Sequence, residues 1–461
     1  MCEKISSKTH ARARQREAMR AATSTFATTS YYSADCTLLS KKMRACRNKH
    51  TKKAGAHCEA SSEETQKDKK IVILGAGLQG LASAYFLCCE RGCTNVTLIE
   101  RCDKVAPAAS SKAGGFLAGG WGDQRTRELH TKSFQLHEQL AEKLDVKSFR
   151  KIRTLSVQAG ASGLADPLVE WLDGDIAQNS VLDENTAQVT PAELSSKLHE
   201  YATKSGLKTL YSTECTGISF EDEAQSVVNG VHVKGKSGDS KSSTLECDVV
   251  VVAMGPWTTR ASGWFPNADF PMTGIKSTSI VFEASEAVKS NPAALFCAED
   301  PRFQTHLEVY PRVDGSVYLC GIGGSDYVDE ERLAPGGDCE SADLIEADPS
   351  RVQAAWDSFK SMSPSVGSSP PILTQACMRP CAPDALPLLG KLPNVENAIV
   401  ASAHNCWGIL WAPITGQIVS ELIMDGKSSC NLEHFSPGRF ARPASGGRGR
   451  KKGILSVGEQ W

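Results

Sequence analysis

Three glycines carry the first chemistry legible in the chain. Gly75, Gly77 and Gly80 form a Gly-x-Gly-x-x-Gly series directly after the apolar run Ile71 to Leu74, the spacing that lets a backbone cradle a pyrophosphate. Gly75 permits the tight turn, Gly77 lets the chain approach the phosphates, and Gly80 lets the next helix pack on the strand. That helix is expected over about Gly77 to Cys89, with its amide-rich start aimed at the anion. A second strand, Asn95 to Ile99, ends in Glu100, twenty residues beyond Gly80. A carboxylate placed there can accept hydrogen bonds from a ribose 2′-OH. The glycines alone are weak evidence; strand, helix, second strand and terminal acid in register make the signal strong. The reading is an adenine dinucleotide site.

Three later segments could close on a ring. The stretch Ala109-Ser110-Ser111-Lys112-Ala113-Gly114-Gly115 has small side chains and a Gly pair that would let backbone approach a large planar group; an ordinary flexible loop is the plain alternative. Asp248 to Trp257 reads as a buried strand running through Ala253 to a turn at Gly255, with Pro256 fixing the exit. As a bare pattern it is only a buried strand and turn. The third segment comprises Arg379 to Gly390 and Ala403 to Gly416. Pro413 suits the first turn of a helix Pro413 to Met424, whose positive end would face whatever Gly408 to Ala412 surrounds.

The elements that must position these residues alternate. Helices are expected at Arg125 to Leu144, Pro191 to Ser205 and Arg351 to Met362. Strands are expected at Leu207 to Phe220, Gly230 to Val233, Val249 to Ala253, Ser277 to Glu283, His306 to Tyr310, Ser316 to Cys320 and Ala398 to Ser402. Strand–helix alternation at both ends with a strand-rich middle fits a parallel sheet carrying an inserted antiparallel part.

Composition is that of a globular protein, with 41% hydrophobic and 23% charged residues over 461 positions. Charge is unevenly laid out: residues 1–55 hold 13 Lys/Arg against 3 Asp/Glu, and residues 438–461 hold 6 against 1. The middle is left with 32 against 49, a net of −17, which argues against a nucleic-acid groove on the folded part. The 17 cysteines lack both zinc-site spacing and the density of a disulfide scaffold, so no metal is expected and a reducing compartment is. Residues 1–68 and 441–461 read as disordered extensions, the first either a transit peptide or a plain leader. No apolar run is long enough to span a membrane.

Taken in order, Gly75-x-Gly77-x-x-Gly80, Glu100, Ser110 to Gly115, Val249 to Trp257, Arg379-Pro380 to Gly390 and His404 to Gly416 resemble the D-amino-acid-oxidase superfamily of FAD-dependent oxidoreductases, in its glycine oxidase and sarcosine oxidase branch. The resemblance covers about residues 70–440. It implies an α/β fold: a Rossmann-type FAD-binding domain (about 69–125, 189–260 and 375–426) with an inserted, mainly antiparallel β substrate domain (about 126–188 and 261–374). It also implies the cofactor roles. Glu100 would hold the ribose, Cys215 would meet adenine through its backbone, and Ser110, Ser111, Gly114, Gly115, Ala253, Gly255, Gly408, Ile409 and Leu410 would line the flavin.

Arg379 matches the arginine that pairs with a substrate carboxylate, a bidentate task that suits guanidinium; a structural arginine before a proline is the alternative. His404 matches a histidine beside the flavin, where it would tune the ring, carry a proton or simply pack. Cys377 falls where sarcosine oxidases tether flavin covalently, although a free buried cysteine is the preferred reading. Ala403 stands where the family often has Gly, and Asn405-Cys406-Trp407 departs from glycine oxidase. Glu308, Tyr310, Arg312 and Tyr318 are candidates for the substrate side, and spacing does not choose among them.

The activity so implied is oxidation of the C–N bond of a small amine or amino acid, hydride passing to flavin N5 and electrons onward to O2 or another acceptor. A dehydrogenase, or an FAD-bound assembly or trafficking factor, is the alternative. The expected location is intracellular: mitochondrion or plastid if residues 1–68 are a transit peptide, otherwise cytoplasm.

Overall fold

The computed structural model describes residues 66–160, 166–236 and 242–441. The expected leader, apart from its last three residues, and the expected tail beyond Ala441 lie outside the described residues.

Six strands form a sheet around Ile71–Leu74. Their order is Leu388–Lys391, Ala398–Ser402, Val249–Val252, Ile71–Leu74, Val96–Ile99, Lys208–Leu210, parallel except at the first pair. The strands Ile71–Leu74 and Val249–Val252 are buried throughout. Alternate residues serve two cores. Ile71, Ile73, Val249 and Val251 pack with Leu78, Leu81 and Ile418, whereas Val72, Leu74, Val250 and Val252 pack with Val231, Phe270 and Val395. Burial on both faces is why these strands read as unbroken apolar runs. Helix Gly408–Met424 lies against helix Leu78–Tyr85. At Gly416 the approach is so close that a Cβ would stand 2.5 Å from the Ala82 carbonyl carbon.

A second sheet has nine strands, in the order Asp326–Val328, Thr273–Phe282, Val317–Cys320, Glu308–Pro311, Ala294–Cys297, Arg150–Ala159, Ile176–Gln188, Phe116–Ala118, with Leu373–Cys381 also paired to Thr273–Phe282. All its pairs are antiparallel except Ala294–Cys297 with Arg150–Ala159. The architecture is therefore the expected α/β one, a Rossmann-type parallel sheet joined to a mainly antiparallel sheet. A third, three-stranded sheet is built from Thr213–Phe220, Val228–Gly235 and Ser243–Glu246.

Three elements differ from expectation. The segment 207–220 is two strands rather than one, because Ser212 takes a left-handed φ of 49°. Lys208–Leu210 completes the parallel sheet beside Val96–Ile99, and Thr213–Phe220 enters the small sheet. No Gly or Pro marks that break. The first helix is α-helical only over Leu78–Tyr85 and then widens through Phe86–Glu90, the Arg91 N–H reaching the Phe86 carbonyl at 3.0 Å.

The last helix begins at Gly408, so Pro413 lies inside it rather than in its first turn. Proline supplies no N–H for the Ile409 carbonyl. His137, fully buried on helix Arg127–Lys143, replaces it: Nε2 lies 3.0 Å from the Ile409 carbonyl and 3.1 Å from that of Leu410. Ser133 Oγ takes the Ile414 N–H at 3.2 Å. Replacing His137 with Ala strands two buried carbonyls beside a cavity. We expect a loss of about 2–4 kcal/mol in stability, measured by urea unfolding at pH 7; a loss below about 0.5 kcal/mol would contradict this account of the proline.

Candidate functional site

A cavity of about 330 Å³ starts at the C-terminal ends of the parallel strands, at Leu74, Ile99 and Ala253, and reaches the large sheet at Tyr310, Tyr318 and Arg379. Its first end is built by the glycine series. Gly75 has φ 102°, and a Cβ there would meet the Ala253 carbonyl oxygen at 2.5 Å, so only glycine makes this turn. A Cβ on Gly80 would stand 2.0 Å from the Gly75 carbonyl oxygen; Gly80 works beneath the site rather than on it. At Gly77 the nearest atom to an added Cβ is Ser110 Oγ at 3.3 Å, which leaves this backbone open to the cavity. Ser110 Oγ accepts the Leu78 N–H at 2.8 Å.

Glu100 is 8% exposed at the end of its strand. Its carboxylate accepts the Ala76 N–H at 3.0 Å and the Cys102 N–H at 2.9 Å. Burial pushes its pKa up against these two bonds. Cys215 lines the same end. Residues that no motif signalled close it: Arg260 pairs with Glu214 at 3.0 Å, and Arg101 with Glu340 at 3.2 Å.

Toward the other end the cavity is lined by Ser110, Gly114, Gly115, Ala253, Gly255, His404, Gly408 and Ile409. A Cβ on Gly255 would meet nothing within 4 Å, a space held open by the missing side chain. Gln79 Nε2 donates to the Gly408 carbonyl at 2.7 Å, tying the starts of the first and last helices together. Two expected residues are not brought to the cavity. Ser111 Oγ donates instead to the Ala106 carbonyl at 2.6 Å, and Leu410 is fully buried in the core between the helices. The Gly114-Gly115 pair has a further reason for being small. A Cβ on Gly114 would strike the Tyr310 ring at 2.4 Å, and one on Gly115 the Val189 carbonyl oxygen at 1.8 Å.

The large sheet contributes the remaining wall. Arg379, on Leu373–Cys381 opposite Ile275, lines the cavity, and among the described residues it forms no ion pair with a carboxylate. Burial works against its charge, yet Cys406, Cys377 and Glu308 more than offset this, and the guanidinium pKa is raised. Glu308, Tyr310, Tyr318 and the buried, free Cys377 also face the cavity. Arg312 does not; its guanidinium lies 5.5 Å from the centre of the Tyr318 ring. Sequence reasoning missed three aromatics here. Phe116 stacks on Tyr310 with centroids 5.3 Å apart, and Trp121 and Phe296 meet edge-on at 5.1 Å. They come from separate strands and loops, so no local spacing announces them.

His404 is 2% exposed, and its Nε2 lies 2.9 Å from Thr415 Oγ1. Burial pushes its pKa down to about 3, as it pushes His137 to about 4. Ala403 just before it holds φ 61°, the left-handed region that favours glycine, which accounts for the glycine common at this place in the family it resembles. Both histidines stay neutral in the folded chain and take up protons when unfolded. Their contribution is complete above about pH 6.5 and is lost as pH falls from there toward 4. Stability should drop by about 2–3 kcal/mol between pH 7 and pH 5.5. Urea unfolding at the two pH values measures it, and a flat profile would contradict buried neutral histidines.

Among the described residues no group of three or more His, Cys, Asp or Glu is placed to hold a metal ion, none of the cysteines is in a disulfide, and no helix is long and apolar enough to cross a membrane. A Rossmann-type sheet meeting a large antiparallel sheet at this cavity is the architecture of a dinucleotide-binding protein. The sequence profile of the FAD-dependent oxidoreductase (DAO) family matches residues 70–422, and the chain belongs to that family.

A Schizosaccharomyces pombe protein, C1F5.03c, provisionally named as an oxidoreductase, is 28% identical over 395 residues, covering 80% of this chain and 98% of the relative. The bifunctional protein ThiO/ThiG of Trichormus variabilis is 25% identical over 411 residues, 82% of this chain and 56% of that one. Among solved structures, glycine oxidase of Geobacillus kaustophilus is similar in fold, with a TM-score of 0.63, 19% identity and coverage of 81% and 99%.

The residues present fit FAD. The turn at Gly75, the open backbone of Gly77, the Glu100 carboxylate and the space left by Gly255 form a cradle that side chains at Gly77 and Gly255 would enter.

Proposed function

We propose that the protein oxidises the C–N bond of a small amine or amino acid, with O2 or another acceptor taking the electrons onward. In this reading residues 69–125, 189–260 and 375–426 hold FAD, and residues 126–188 and 261–374 carry the substrate side. The observation that carries it is Arg379: a guanidinium on the cavity wall, without a carboxylate partner among the described residues, waits for an anionic ligand. It can grip a carboxylate with two parallel hydrogen bonds. The names of the relatives, a glycine oxidase among them, support an amino acid as that ligand.

FAD, when bound, supplies two-electron acceptance. The chain supplies the rest. Gly75, Gly77 and the start of helix Leu78–Tyr85 receive the pyrophosphate, and Glu100 the ribose. Cys215 offers its backbone to the adenine. The first turn of helix Gly408–Met424, at Gly408 and Ile409, turns its positive end toward the ring and favours negative charge there. His404, held neutral, packs and polarises rather than shuttling a proton. Phe116, Trp121 and Phe296 exclude water from the bound substrate. Burial pushes the Cys377 thiol up, away from the thiolate a covalent tether would start from, which supports a flavin held without a bond.

The test is product analysis. The purified chain, incubated with amines and amino acids in the presence of O2 or an acceptor dye, should form the corresponding carbonyl compound. Absence of carbonyl product across the panel would contradict the proposal.

A further inference from the structure

The substrate wall carries a charge that binding one carboxylate does not use. Glu308 faces the cavity from strand Glu308–Pro311. Its Oε2 accepts the Tyr310 hydroxyl at 2.5 Å and the Cys320 thiol at 3.4 Å. Among the described residues Oε1 accepts no hydrogen bond. Aromatic residues flank this carboxylate: Phe296 stands opposite Glu308 on the neighbouring strand. Tyr310 stacks on Phe116, and Phe116 meets Phe296 at 5.1 Å and Trp121 at 5.3 Å. An acid set among ring faces is the chemistry that receives a cationic nitrogen.

Glu308 and Arg379 sit apart on the sheet. Strands Thr273–Phe282 and Val317–Cys320 lie between their own strands, and in the register Glu308 is level with Gln375 rather than with Arg379. Three strand spacings across and four residues along put their backbones roughly 20 Å apart on the sheet. The side chains reach inward from there, close enough for each charge to be felt by the other. A ligand in this cavity therefore meets both an arginine and a carboxylate.

We infer that Glu308 holds a second, distal positive charge of the substrate, so that the protein prefers an amino acid with a cationic side chain. The inference rests on the amino-acid reading above and goes further by naming the side chain. Arg379 takes the α-carboxylate. The α-carbon lies at the ring, and the distal ammonium reaches the aromatic cage, where Glu308 Oε1 accepts its hydrogen bond. Tyr310 and Cys320 hold Oε2 and keep the carboxylate turned to the ligand. A neutral side chain of equal length fills the same space without the ion pair, and an acidic one meets repulsion.

Racemic lysine, norleucine and 2-aminoadipate share the α-groups and differ in the tail. Their apparent dissociation constants can be read from the concentration dependence of flavin reduction without oxygen, in the holoprotein and in Glu308→Gln, which keeps an acceptor for Tyr310. Lysine should bind wild type roughly 10- to 100-fold more tightly than norleucine, the scale of a charge-assisted hydrogen bond, and 2-aminoadipate should bind weakest. In Glu308→Gln the lysine advantage should fall to within about threefold, with flavin content unchanged. Equal binding of lysine and norleucine by wild type would overturn the role of Glu308 while leaving the amino-acid reading intact. If none of the three reduces the flavin, the inference falls, and the amino-acid reading is decided by the wider panel above. If Glu308→Gln loses flavin, Glu308→Asp serves in its place: a shorter carboxylate should keep part of the lysine preference, and a preference unaltered by it would also overturn the inference.

Discussion

Gly77→Leu should give a folded protein without flavin. The position differs from Gly75 in its φ of −70°, which any residue adopts, and from both other motif glycines in that an added Cβ would meet only Ser110 Oγ at 3.3 Å. A larger side chain therefore leaves the backbone alone and projects toward the space a pyrophosphate needs. Gly80→Ala is the contrasting variant. Its Cβ, 2.0 Å from the Gly75 carbonyl oxygen, forces the first helix off the strand and should cost stability as well as cofactor. Absorbance at the flavin band and the urea midpoint separate the two effects. Gly77→Leu should lose nearly all bound FAD with its midpoint close to that of the wild-type apoprotein. A yellow Gly77→Leu protein would mean that the phosphates do not pass there.

The second large effect is expected at Arg379. Arg379→Ala should weaken a carboxylate-bearing ligand by about 2–5 kcal/mol, roughly 30- to several-thousand-fold, with FAD retained. Arg379→Lys should recover little, since an ammonium cannot reproduce the planar two-point grip. Matched ligands with and without a carboxylate, titrated against the flavin spectrum, isolate the contribution. Equal losses for both would make Arg379 structural, and the amino-acid part of the proposal would go with it.

What could be read in advance followed how local the physical constraint was. The glycine series, Glu100 and strand Val249–Val252 were legible because each requirement lies within a few residues: a turn, a strand end, a run buried on both faces. Arg379 and His404 were legible only as members of an ordered series of motifs. The aromatic wall beside Glu308 was not, since sheet pairing brings Phe116 and Phe296 together from positions 180 residues apart. Pro413 misled for a related reason. A proline in the first turn is the ordinary local solution, and only His137, reached through tertiary packing, shows how the helix tolerates it further in. Ser212 hid a strand break because an ordinary residue adopts the left-handed turn.

The central claim is that this cavity holds FAD and brings an amine or amino acid against it. The most direct measurement is the visible spectrum of the purified full chain, recorded without oxygen while amines and amino acids are added one at a time. The protein should be yellow, with a flavin band that bleaches with at least one of them and returns when O2 or an acceptor dye is admitted. A colourless protein that FAD cannot reconstitute, or a bound flavin that none of them reduces, would contradict the claim.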